Sequence, residues 1–112
     1  MGLNLTKWHK GSFLVGKENL GHMATFSEDG NEGLYNLCRS KHSTADAPES
    51  VLFYNASGAS QPVIVADHAK LKEARTVLLA WHKTDDNCPQ CVDAGSGNWD
   101  LCAEAQEMLA QS

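Results

Sequence analysis

A chain of 112 residues with 42% hydrophobic and 21% charged residues has globular composition, which excludes a disordered polyampholyte. Its length suits a single domain, residues 1–112. The formal net charge of −5 is uneven, with five Lys/Arg against six Asp/Glu in residues 1–60 and four against eight in residues 61–112; a phosphate-binding stripe of clustered cations is not expected.

The leading segment MGLNLTKWHK lacks the apolar stretch of a signal peptide. No apolar run approaches the roughly 18 residues needed to cross a bilayer. Met-Gly-Leu-Asn-Leu-Thr fits the loose myristoylation pattern, with Lys7 and Lys10 as its only basic support. Asn55-Ala56-Ser57 fits a glycosylation sequon and is read as a turn. These features predict a cytoplasmic chain with reduced thiols. Trp8, His9 and Lys10 are expected in an exposed segment, with Trp8 folding back over a sheet.

Ser12–Val15 and Met23–Phe26 are short apolar runs of strand length, with Gly16–Gly21 as a loop between them. Ser27–Gly33 has the composition of a turn. Leu34, Leu37 and Cys38 fall at i, i+3 and i+4, which predicts a short helix over Leu34–Arg39. Ser43–Ser50 reads as a polar loop. Val51–Tyr54 and Val63–Val65 are β-branched and aromatic runs joined by a generous loop. Their unbroken apolarity predicts strands covered on both faces.

From Asp67 the apolar period changes from two to 3.6. Asp67 is the expected N-cap of a helix of about 16 residues, with Leu71, Ala74, Leu78, Trp81 and His82 following at helical spacing. A second helix is expected to start at Asn98 as N-cap, with Leu101, Cys102, Ala105, Met108 and Leu109 as its apolar stripe.

Between the two lies Trp81 to Cys102, WHKTDDNCPQCVDAGSGNWDLC, which holds three of the four cysteines. A helical hairpin would bring its first helix end and second helix start together. His82, Cys88, Cys91 and Cys102 then converge as a Cys₃His set, a common structural zinc site. Two residues between Cys88 and Cys91 let one turn present both sulfurs to one ion. The Cys88-Pro89-Gln90-Cys91 element resembles the knuckle of zinc-ribbon and rubredoxin-type sites, although Val92 replaces the usual glycine and a second CxxC is missing. Cys38, His42 and His68 are reserve ligands.

The rival readings are a redox pair, a disulfide, iron–sulfur ligation by all four cysteines, and buried thiols that merely fill space. Neither the H-x-E…P-C-x-x-C deaminase pattern, nor HExxH, nor a glycine-rich phosphate loop occurs.

The expected architecture is α+β, a small antiparallel sheet from the N-terminal two-thirds packed on a C-terminal zinc-stapled helical hairpin. The expected function is a non-enzymatic binding or regulatory module with structural Zn²⁺ and a protein partner, possibly basic because the chain is acidic. Alternatives are a thiol- or zinc-dependent redox enzyme using Cys88 and Cys91, and nucleic-acid binding through Lys70, Lys72 and Arg75.

Overall fold

Strands β1 (Leu3–His9), β4 (Met23–Glu28), β5 (Leu34–Arg39), β6 (Ser50–Asn55) and β7 (Val63–Ile64) form one antiparallel sheet in the order β1-β4-β5-β6-β7. Among the described residues there are also two short hairpins, β2 (Leu14–Val15) with β3 (Glu18–Asn19) and β8 (Val92–Gly95) with β9 (Asn98–Asp100), and two helices, α1 (His68–His82) and α2 (Ala103–Leu109). The computed structural model describes residues 2–15, 17–40, 49–84, 86–96 and 98–109. The polar loop expected over 43–50 lies outside these residues except for Glu49 and Ser50, as does His42.

Side chains alternate across the sheet. On one face Leu3, Ala24, Phe26, Tyr35, Leu37 and Leu52 meet Ala74 and Leu78 of α1 and Met108 of α2 in the main core. On the other, Leu20, Met23 and Cys38 pack with Phe13 and Phe53, the β2–β3 region covering part of that face. The helix expected over Leu34–Arg39 is therefore strand β5. Its Leu34, Leu37, Cys38 spacing fits a helix, but Tyr35 and Leu37 face one core and Cys38 the other. Pairing to β4 and β6 on both sides overrides local propensity.

The leading segment is an edge strand rather than an exposed tail. Trp8 is half-buried and packs against the main core. A bulge between Leu5 and Lys7, where the Thr6 hydroxyl donates to the Thr25 carbonyl at 3.0 Å, interrupts that edge. The opposite edge, β7, pairs with β6 as expected, but Val63 and Ile64 are 61% and 66% exposed, so they are not covered on both faces.

Helix α1 begins where its cap chemistry predicts. The Asp67 carboxylate accepts from the Ala69 and Lys70 amides at 2.9 and 3.3 Å. Ala74, Leu78 and His82 form its buried stripe. Two polar contacts dock it to the sheet: Lys70 Nζ lies 2.6 Å from Glu28 Oε2, and the Leu3 amide donates to Glu73 Oε2 at 3.0 Å. Helix α2 starts later than expected. Asn98 belongs to β9, and the helix runs from Ala103, because the chain first closes a hairpin with β8. The two helices touch, but a knuckle and a β-hairpin separate them in sequence, so the expected helical hairpin is supported only loosely.

Two outcomes follow from this packing. Leu78→Ala, at a fully buried site, should cost about 2–5 kcal/mol in denaturant unfolding; a loss below about 1 kcal/mol would mean that Leu78 is not central to the core. The hydrogen bond from Lys70 holds Glu28 below the ordinary carboxylate range. A depressed carboxylate contributes stability above its unfolded pKa, and that contribution is lost as pH falls. Lys70→Met should thus lower stability at pH 7 and flatten its decline below about pH 5, read by thermal melts across pH.

Candidate metal centre

His82 is the last residue of α1, held inward by the same stripe as Ala74 and Leu78. After it the Lys83 amide closes on the Leu79 carbonyl at 3.1 Å, and Asn87 folds back, its side-chain amide donating to the Trp81 carbonyl at 3.3 Å. The chain then turns through Cys88-Pro89-Gln90-Cys91, with the Cys91 amide donating to the Cys88 carbonyl at 3.2 Å. That turn places the two sulfurs 3.2 Å apart as free thiols.

The β8–β9 hairpin performs the next step. Its register pairs Val92 with Asp100, so the residues just outside the pair, Cys91 before it and Leu101–Cys102 after it, return to the same place. The Cys102 amide donates to Cys91 Sγ at 3.2 Å, and the Cys102 carbonyl accepts from the Gln106 amide at 3.0 Å to open α2. Cys102 thus occupies the cap position rather than the first turn of the helix.

The result is one cluster. The ligand atoms of His82, Cys88, Cys91 and Cys102 lie within 4.8 Å of one another, and all four residues are buried. His82 Nδ1 faces Cys91 Sγ at 3.3 Å and Cys102 Sγ at 3.9 Å. A tetrahedral ion with metal–sulfur bonds of about 2.3 Å spaces its ligands by about 3.8 Å, within the range these separations span. The four donors are thus positioned to hold a metal ion.

Burial governs the charge state of the metal-free cluster. It pushes the Cys102 thiol up to about 12, raises Cys91 and lowers His82 to about 4. The neutral Cys91 and Cys102 thiols and the neutral His82 imidazole are forms from which a cation displaces thiol protons.

Each ligand predicted from sequence is brought into this cluster, and the reserve candidates are not. Cys38 lies in the separate Leu20–Met23 cluster on the far sheet face. His68 is exposed at the opposite end of α1 from His82. Without Cys38, ligation of one cluster by all four cysteines is not available.

Sequence reading missed one ring of the lid, Trp8. Trp8 of β1 stands edge-on to His82 with ring centroids 4.7 Å apart, and Trp81 does so at 4.8 Å. Trp99 and Leu101 pack against the cysteines as well. His82 Nε2 has no hydrogen-bond partner among the described residues and sits among these rings. Only the tertiary fold reveals the Trp8 contact, because 73 residues separate the pair. Searches among family models, curated proteins and solved structures return no match for this chain.

Cys91→Ala should abolish tight binding of one metal ion per chain in native mass spectrometry, and Cys38→Ala should leave it intact. Metal retained by the Cys91 variant would sink this ligand assignment.

Proposed function

We propose that the protein is a small non-catalytic binding module whose C-terminal third is stapled by one structural zinc ion. Closure of the donor set carries this reading: His82, Cys88, Cys91 and Cys102 are only 0%, 1%, 7% and 6% exposed. A catalytic zinc needs an open coordination position, whereas a structural one takes four protein ligands. Three sulfurs and one imidazole nitrogen are a donor set that suits zinc. When bound, the ion supplies cross-linking rather than chemistry, joining the end of α1, the knuckle and the start of α2. Its binding energy then counts toward folding.

The biological action of such a module is contact with a protein partner in a reducing compartment, here the cytoplasm. Two cations of the nucleic-acid reading are already engaged, Lys70 with Glu28 and Arg75 with the Ser50 hydroxyl at 2.9 Å. No helix among the described residues is long and apolar enough to cross a membrane.

A redox pair is the second reading, favoured by the 3.2 Å separation of the Cys88 and Cys91 sulfurs. Against it, the knuckle leads into strand β8 and not into a helix whose N-terminus would stabilise a thiolate.

Cobalt substitution distinguishes the two. The closed-site reading expects one ion per chain with tetrahedral thiolate absorption that added azide or cyanide leaves unchanged. Stripping the metal should cost about 3 kcal/mol or more, some 10 °C or more in Tm. An exchangeable coordination position would overturn the structural role. Reversible formation of a Cys88–Cys91 disulfide in a chain that never binds metal would establish the redox reading instead.

A further inference from the structure

An open cavity of about 560 Å³ runs along the outer face of α1 beside α2. Its apolar walls are the half-buried Leu71, Leu79, Leu101 and Leu109, and Lys72 and Arg75 stand at its border. His68 marks one end and the exposed Thr76 the middle. His68 to Leu79 spans about three helical turns, roughly 16 Å. Among the described residues, those lining it include no carboxylate, although Asp and Glu outnumber Lys and Arg 14 to 9 in the chain.

We infer that this groove docks an amphipathic helix of a partner protein, with leucine-like residues on its buried face and Asp or Glu along its flanks. Four leucine side chains form an apolar trough of the kind that accepts anchors at i, i+3 or i+4, and i+7. The charge at its border selects the sign of the flanking residues. Lys72 is exposed and supplies most of that selection. Arg75 contributes less, because its guanidinium is partly buried, bonds Ser50 and lies near Glu49. The acidic balance of the whole chain suggests a basic partner; the groove's own residues reverse that expectation. A bare phosphate polymer fits poorly because the walls are hydrocarbon.

The inference rests on the stapled-module reading through one wall. Leu101 adjoins Cys102, and Leu101 and Leu109 both pack against the cysteine cluster, so the ligand cluster sets where the α2 side of the groove stands.

The test uses the full chain loaded with zinc and two synthetic helical peptides of about 14 residues. Both carry the same leucine stripe, one flanked by glutamates and the other by lysines. NMR titration should show the acidic peptide binding at least about tenfold tighter, with shifts on α1 and α2 around Leu71, Thr76 and Leu109, and weakening with added salt. Lys72→Glu should remove most of that preference, and Thr76→Trp, at an exposed position, should block both peptides without disturbing the core. Equal binding of the two peptides, no binding of either, or shifts on another face would overturn the proposal. So would a dimer of the free chain that Thr76→Trp dissociates, since the occupant would then be a second copy. Zinc content and Tm measured on the same samples report on the staple separately, so a failed groove and a failed metal site give different results.

Discussion

Burial of His82 beside three cysteines is the constraint on which the C-terminal half of the structure turns. A buried imidazole and buried thiols lose hydration, and in this fold their polar contacts are mainly with one another and with the Cys102 amide. The knuckle has few apolar residues, so packing alone gives little reason for it to fold inward. A shared cation would resolve both problems at once, converting four poorly satisfied polar groups into one cross-link.

The same cluster ties the chain's beginning to its end. Trp8, on the edge strand β1, packs on His82 and also against the main sheet core. Like Leu109, it packs against both the main core and the cysteine cluster. Loss of order around the cysteines would therefore be felt at β1 and at the α2 face of the core. At the other end of α1, Lys70 and Glu73 fasten the helix to Glu28 and Leu3 by polar contacts that need no metal. Helix α1 is thus held at two ends by different physics.

Much of the site was legible because its elements obey short-range rules. Asp67 caps α1, and the 3.6-residue period from Leu71 carries His82 to the buried face. The two-residue gap in Cys88-Pro89-Gln90-Cys91 implies a turn, and the turn is there. What spacing could not say is how Cys102 returns to Cys91. A helix start at Asn98 and a β-hairpin from Val92 to Asp100 both achieve it, and both leave Cys102 facing inward. The same four donors therefore converge although the second helix starts later than expected.

By itself the sequence determined α1 with its cap, the strand runs β4, β6 and β7, and the four side chains that converge, because each depends on periodicity or local turn chemistry. Only the tertiary structure decided the rest. Leu34–Arg39 became a strand because neighbours pair with it on both edges. Val63 and Ile64 stayed exposed because β7 lies at the sheet's rim. Trp8 met His82 because β1 completes the opposite edge and delivers a residue from the start of the chain to the end of α1. These outcomes depend on which segments become neighbours, a long-range choice that a pattern of adjacent residues does not encode.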